Sequence, residues 1–437
     1  MDRTVAIRAL GLYLPLSAAI LLALLRRPIA RTFVAAMLAL AWTLPSLIAL
    51  QLLNLRFEWW TFHARGGLFR GMPVDMYLGW AILWGALPTL VFGELTVVWQ
   101  ISMLVALDAL LMPLCSPVIL LSHHWLTGEV VATSLVLVPA QLIARWTLQR
   151  RHLQGRAAMQ VMTVAGLFLF LIPELVFALR PGAGWSPFFI QAFWLRGLEL
   201  QLLFLLAAIG VSAVQEFAQN GDGTPIPFDP PQRLVTSGIY RYVANPMQLS
   251  CTVVMICWGG VLRNPWVASA GLISFVYSLG LAAWDEGEDM RIRFGARWEE
   301  HRRNVRPWRI RWRPWQLPDV ASARLYIAEA CGPCSQLRRW FARRGALALD
   351  VVAAEDHPSR DLQRITYDPM NGARAEEGVW AFARALEHIN FAWAFAGAVL
   401  RLPGIGHFIQ LMMDASGLGP QPVTRRGAVV CSSIPRP

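Results

Sequence analysis

The stretch R-L-V-T-S-G-I-Y-R-Y-V-A-N-P-M at residues 233–247 is a polar loop that runs into two apolar spans. The chain leaves them through W-D-E-G-E-D-M-R-I-R-F-G-A-R-W-E-E-H at residues 284–301. A hairpin that departs from a membrane face and returns to it brings its flanks together. This order puts Arg241, Tyr242, Asn245 and Glu286 at one face, where a polar ligand can meet a partner dissolved in lipid. Asn245-Pro246 reads as a helix entry, the Asn as N-cap and the Pro at the first helical position. A helix start offers free N–H groups and a partial positive end, suited to an anionic group such as a carboxylate. The same residues equally describe ordinary capping with interfacial Tyr and Arg. On the return flank, Asp285, Glu286, Glu288 and Asp289 are costly near hydrocarbon unless they face a cavity or a partner. Pairing with Arg291, Arg293 and Arg297 at helical spacing is the plainer alternative.

Working outward, the 437 residues are 56% hydrophobic and 15% charged. Soluble domains average roughly 25% charged residues, so the composition indicates a membrane protein. The first apolar run is followed at once by another, which argues against a cleaved secretory leader and places Met1 in the mature chain. All 39 basic residues are Arg, and the net charge is +11. Basic charge gathered at span ends fits positive-inside topology and anionic headgroups. No nucleic-acid recognition motif accompanies it, so no nucleic-acid partner is expected.

Apolar runs of membrane-crossing length are centred near Ala18, Trp42, Trp84, Ala106, Leu137, Leu167, Leu203, Met255 and Phe275, about nine spans. Asp108 inside the fourth marks either a pocket or a helix–helix polar contact. Arg26, Arg27 and Arg31 follow the first span. Arg145, Arg150, Arg151 and Arg156 follow the fifth. Both groups belong in cytoplasmic loops if the N-terminus is outside. Counting on, the loop at 233–247 and the Glu286 segment are cytoplasmic too, and Arg263-Asn264-Pro265 turns on the far side.

Beyond Trp315 the hydropathy drops. A strand at A-R-L-Y-I-A leads to Cys331-Gly332-Pro333-Cys334, then to a helical S-Q-L-R-R-W-F-A-R-R and a second strand, A-L-A-L-D-V-V. A C-x-x-C pair between a strand and a helix has redox meaning. A helix start with Arg338 and Arg339 nearby lowers the pKa of the attacking thiol, Cys331. Zinc would need two more ligands, and His357 and His388 are poorly spaced for it; no metal is expected. The other cysteines, Cys115, Cys251, Cys257 and Cys431, make no secreted disulfide framework. Residues 377–414, interrupted by Arg384, Glu387, His388 and Arg401, read as amphipathic helices rather than spans. Residues 417–437 read as a loose tail.

Residues 234–308 resemble the core of the isoprenylcysteine carboxyl methyltransferase and phospholipid methyltransferase family. Gly238, Tyr240, Arg241, Tyr242, Pro246, Glu286, Phe294 and Gly295 stand at matching places. Ala244-Asn245 replaces the family's Arg-His, Gln248 its Tyr, Ser250 its Gly, and Gly287 its second Glu, with Asp285 and Glu288 flanking. Trp298 and His301 replace two later tyrosines. The resemblance implies an integral-membrane methyltransferase with S-adenosyl-L-methionine as cosubstrate and a lipophilic methyl acceptor. It implies cosubstrate binding by Gly238, Tyr240, Tyr242, Asn245, Pro246, Glu286 and Glu288. Glu286 would face the nucleoside or sulfonium, Arg241 the methionine carboxylate or the acceptor. Around Cys331, the sequence is similar to thioredoxin. Gly372, E-E-G-V-W-A-F at 376–382 and L-P-G-I-G-H-F-I-Q-L at 402–411 resemble the DCC family of thiol-disulfide oxidoreductases, with Pro369 the candidate for its cis-proline. That likeness implies catalysis by Cys331 and Cys334 and a thiol reductant as partner.

The expected architecture is mainly α: a polytopic α-helical membrane protein with a C-terminal soluble α/β thioredoxin-like domain. Its parts are 1–155, an N-terminal multi-span region; 156–316, the methyltransferase-like core; 321–416, the thioredoxin-like domain; and 417–437, the tail. It would sit in a bacterial-type inner or plasma membrane, N-terminus outside and C-terminal domain cytoplasmic. The alternative to the methyltransferase is a membrane-anchored thiol-disulfide oxidoreductase with a degenerate hairpin. A scaffold subunit is the non-enzymatic reading.

Overall fold

The computed structural model describes residues 3–93, 95–225, 230–318, 320–329 and 332–426, with side chains at all of these except Leu281, Ala282, Ala283 and Asp285. The protein is mainly helical, 67% helix, and divides into two compact units. Seven helices are long and apolar enough to cross a membrane. They are α1 (Arg3–Arg26), α2 (Ala30–Phe57), α3 (Val74–Val91), α4 (Val97–Leu114), α5 (Trp125–Gln149), α6 (Leu153–Leu179) and α7 (Phe193–Gly221). The last two apolar runs form α8 (Pro246–Val261) and α9 (Pro265–Leu279), of 16 and 15 residues. At about 1.5 Å per residue they fall short of a hydrocarbon core roughly 30 Å thick, whereas the sequence reading counted them as the eighth and ninth spans.

The first unit comprises Met1–Ile190, Gly223–Pro230 and Trp258–Val267, with α2 at its centre. Small residues let the backbones close up: Ala35 and Ala39 of α2 meet Ala140 and Ala144 of α5, the packing that membrane helices favour. Gly79 of α3 lies so close to α1 that an added Cβ would stand 2.1 Å from the Gly11 carbonyl oxygen. Helices α3, α5 and α6 each contain a π-type turn, at Ile82–Ala86, Thr133–Leu137 and Gly166–Leu171. A proline follows each turn, at Pro88, Pro139 and Pro173. A helical proline lacks an N–H and orphans the carbonyl four residues back, a serious cost in lipid. Each orphan here finds a donor from another segment. Gln141 Nε2 reaches the Trp84 carbonyl at 2.5 Å, Trp42 Nε1 the Leu135 carbonyl at 3.1 Å, and Trp258 Nε1 the Leu169 carbonyl at 2.9 Å.

The loops of this unit fall on two faces. On one, β1 (Trp60–Phe62), after α2, pairs antiparallel with β4 (Ile119–Leu121), after α4; β2 (Leu68–Phe69) and β3 (Met72–Pro73) form a small hairpin between them in sequence. On the other, Arg26 and Arg145 donate to the carbonyls of Leu90, Val91 and Gly93 at the α3–α4 connection. Alternating crossings require this grouping.

The second unit comprises Gln191–Asp222, Pro231–Cys257 and Ala268–Pro437. After α9, α10 (Leu281–Asn304) kinks at Gly295. A mixed sheet follows, β5 (Ala323–Ile327), β6 (Leu349–Ala353), β7 (Thr366–Asp368) and β8 (Glu376–Glu377), in the order β6-β5-β7-β8. Strands β5 and β6 are parallel, and β7 is antiparallel to both β5 and β8. The crossover between β5 and β6 is α11 (Gly332–Ala342). Leu325, Ile327, Phe341, Ala381 and Leu386 form the core, the last two from α12 (Val379–Leu386). Helices α13 (Phe391–Leu400) and α14 (Ile405–Met413) bend by 86° across their break. The segment read as a loose tail is tied down as far as Arg426: Val423 N–H reaches the Leu362 carbonyl at 2.8 Å and Arg426 N–H the Glu355 carbonyl at 2.8 Å.

Candidate functional site

The two flanks of the α8–α9 hairpin meet. Pro246 begins α8, and the Leu249 N–H closes onto the Asn245 carbonyl at 3.1 Å. The Asn245 amide donates to Gln248 Oε1 at 3.0 Å, Gln248 Nε2 donates to Glu286 Oε2 at 3.4 Å, and Arg302 Nη1 donates to Asn245 Oδ1 at 3.3 Å. A polar cluster of Asn245, Gln248, Glu286 and Arg302 thus joins the head of α8 to both halves of α10. Backbone bonds reinforce it: Ala244 N–H to the Arg306 carbonyl, Arg311 N–H to that of Tyr242, and Trp315 N–H to that of Arg241. Glu286 keeps its carboxylate for the opposite flank, while Asp289 takes the helical-spacing pair with Arg293, at 2.7 Å. Glu288 is exposed, and the Asp285 side chain lies outside those described.

His301 is buried, and its Nε2 lies 3.0 Å from the Tyr240 carbonyl. A carbonyl can only accept, so Nε2 carries the proton. Burial lowers the pKa of this imidazole, and nearby Arg302 adds to the effect. His301 therefore holds the loop.

Gly238 and Tyr242 bond elsewhere. Gly238 has φ +62°, and an added Cβ would stand 3.0 Å from the Glu216 carboxyl carbon, so both backbone and space require glycine. Its N–H donates to Glu387 Oε2 at 2.9 Å, and the Tyr242 hydroxyl donates to the Glu387 carbonyl at 2.7 Å. Tyr242 is wholly buried. Tyr240 packs with Val235, Ile239 and Val243 against Ala213 of α7.

Glu387 belongs to a buried charge network. Arg384 Nη1 contacts Glu216 at 2.7 Å and Glu387 at 2.9 Å; Arg401 Nη1 contacts them at 3.0 Å and 3.2 Å. Glu376 bridges both arginines, at 3.0 Å and 3.3 Å. Beside it, His388 Nδ1 donates to the Leu347 carbonyl at 2.7 Å, leaving Nε2 to accept from the Tyr367 hydroxyl at 3.0 Å. Burial, with the positive charges of Arg241 and Arg384, keeps His388 neutral and far below its ordinary pKa; burial pushes Tyr367 up to about 12.

Arg241 turns toward a cavity of about 380 Å³ lined by Arg233, Arg241, Phe294, Arg297, Tyr367 and Arg384, among others. No acidic side chain lines it among the described residues. Arg241 Nη1 donates to Gln316 Oε1 at 2.8 Å, while its buried Nε has no hydrogen-bond partner. A buried donor without a partner is costly, and a cavity wall carrying four arginines suits a carboxylate or phosphate.

In the thiol segment, Cys331 lies outside the described residues. Helix α11 opens directly after it, and Cys334 is half-buried against the Leu325–Phe341 core. Arg338 pairs with Glu329 at 2.6 Å, so that guanidinium is shared with a carboxylate rather than reserved for a thiolate. Among the described residues no peptide bond is cis, Pro369 included.

No protein-family model, curated protein or solved structure matches the chain. Sequence reading missed Arg302 and took Glu387, Arg384 and Arg401 only as interruptions of apolar helices. The available signal was their density, four charges or imidazoles at 384–401 inside strongly apolar segments, which demands partners.

Proposed function

We propose that the chain is an integral-membrane methyltransferase that uses S-adenosyl-L-methionine to modify a lipid-soluble acceptor, as its resemblance to the isoprenylcysteine and phospholipid methyltransferases implies. The observation that carries this reading is the junction of the flanks, Asn245 and Gln248 from one, Glu286 and Arg302 from the other. Next to it on the same loop, Arg241 lines a cavity large enough for a nucleoside-sized ligand. Arg241 would hold the methionine carboxylate in that cavity, and Glu286, which does not line it, would meet the nucleoside or sulfonium from the hairpin junction. When bound, the cosubstrate supplies an electrophilic methyl group on a sulfonium. The protein's part is to orient it and keep water away, which gains rate through positioning and electrostatic complementarity. Gly238 and Tyr242 would act by securing the loop on Glu387 rather than by touching ligand. The arginine-rich face of the first unit supports a cytoplasmic placement of that face by the positive-inside rule, with the N-terminus outside.

Calorimetry with S-adenosyl-L-methionine tests the reading directly. Binding is expected for the wild type and a loss of at least tenfold for Glu286→Ala and for Arg241→Ala. A wild type that binds nothing, or variants that bind equally well, overturns it. Labelled methyl transfer into total lipid and protein extracts then identifies the acceptor.

A second reading has its own observation. A parallel β5–α11–β6 crossover with C-G-P-C at its turn, followed by antiparallel β7 and β8, is the arrangement a thioredoxin-like, DCC-type domain implies. We propose that this domain exchanges electrons with a thiol reductant. If the chain is solely an oxidoreductase, Cys331→Ser abolishes function while Glu286→Ala is silent.

A further inference from the structure

The first unit holds two buried carboxyls that the proposed methyl transfer does not use. Asp108 lies on α4 and Glu129 on α5, 5% and 6% exposed. Both line the same small cavity. Two neighbouring carboxylates with no cation to balance them resist ionising together. Trp80 Nε1 donates to Asp108 Oδ1 at 3.3 Å. Among the described residues no ion pair reaches either carboxyl, and the side chains around their cavity include Gln51, Trp60, Met72, Trp80, Trp84 and Met112, all uncharged. The Cys115 thiol is the other titratable group that senses Asp108. An unpaired double negative charge has no place in such surroundings.

The cavity itself measures about 30 Å³, room for one water molecule and too small for an organic ligand. Two of the residues lining it each carry a buried atom without a partner: Glu129 Oε1, an acceptor, and Trp84 Nε1, a donor; Trp84 is 3% exposed. A single water reaching both would accept from the indole and donate to the carboxyl. A metal cation or ammonium would satisfy Glu129 but leave the indole N–H unanswered.

We propose that Asp108 and Glu129 form a proton-binding site in the N-terminal bundle, one proton shared between the two carboxyls and exchanged through a water held by Trp84. The ligand is the hydron alone. Binding makes one O–H bond, breaks none within the protein, and changes the bundle's charge by one.

Infrared difference spectroscopy on the full chain in lipid nanodiscs tests this. A protonated-carboxyl C=O band is expected at neutral pH, moving on transfer to deuterated water. It should vanish in both Asp108→Asn and Glu129→Gln, which keep size and hydrogen-bonding capacity. Sodium or ammonium chloride added at constant pH should leave the band unchanged. Trp84→Phe should keep the band but slow its deuterium exchange several-fold. A wild-type spectrum identical to both carboxyl variants, loss of the band on adding sodium or ammonium, or unaltered exchange in Trp84→Phe overturns the proposal.

Discussion

Two sets of buried carboxyl groups set the halves of this chain apart. Glu216 and Glu387, 1% and 3% exposed, sit in the second unit with Arg384 and Arg401 wrapped around them. Asp108 and Glu129 are buried almost as deeply in the first unit with only each other, Trp80 and a small cavity. Burial is the same; the answer to its cost differs. One set is met by guanidinium groups in a geometry that also binds Gly238 and Tyr242. The other answers with a proton. The first arrangement locks elements together, because removing any member strands a charge. The second leaves a site whose charge can change without dismantling the bundle.

The largest expected effect comes from breaking the locked set. Arg384→Ala leaves Glu216 and Glu387 undercompensated and should cost about 3–5 kcal/mol, read as lost thermal or denaturant stability in detergent. Arg384→Lys should recover only part, since one ammonium cannot span Glu216, Glu376 and Glu387 as the fork does. Acid probes the same neighbourhood. His388 is neutral in the folded protein, its pKa depressed by burial and by Arg241 and Arg384. The unfolded imidazole protonates near pH 6.5, so above that value His388 contributes no pH dependence. As pH falls below it, stability should drop by about 1.4 kcal/mol per pH unit until the folded pKa is reached. His388→Gln should flatten much of that slope in melting curves at neutral and acid pH, and His301, depressed in the same direction, accounts for a remainder.

Smaller effects separate the units further. Trp42→Phe removes the donor to the carbonyl orphaned by Pro139 and should cost about 1 kcal/mol. Asp108→Asn should change stability by less than about 1 kcal/mol, because a neutral amide replaces one partner of a pair that already carries a proton. If Asp108→Asn proves as damaging as Arg384→Ala, the contrast between the two sets is wrong.

Much of the fold was legible along the chain because its causes are local. Seven apolar runs became helices of spanning length, and Pro246 opened α8 where Asn-Pro announced a helix start. The runs read as eighth and ninth spans form the shorter helices α8 and α9, of 16 and 15 residues, on either side of the turn at 262–264. The π-type turns in α3, α5 and α6 had a visible cause in Pro88, Pro139 and Pro173. Their remedies did not, since Gln141, Trp42 and Trp258 are donors only by virtue of where other helices pass. The candidate site divided in the same way. Gln248 and Glu286 meet because a hairpin must return. Gly238 and Tyr242 turned instead to Glu387, some 145 residues away in sequence, and Arg241 to a cavity that no spacing rule describes.

Composition and short-range pattern alone determined that this is a helical membrane protein, because solvent preference and helix initiation act over a few neighbouring residues. Which buried charge found a cation, which kept a proton, and which motif side chain reached open space were decided by tertiary packing. Those outcomes depend on separations of a few ångströms between groups that the chain order leaves far apart.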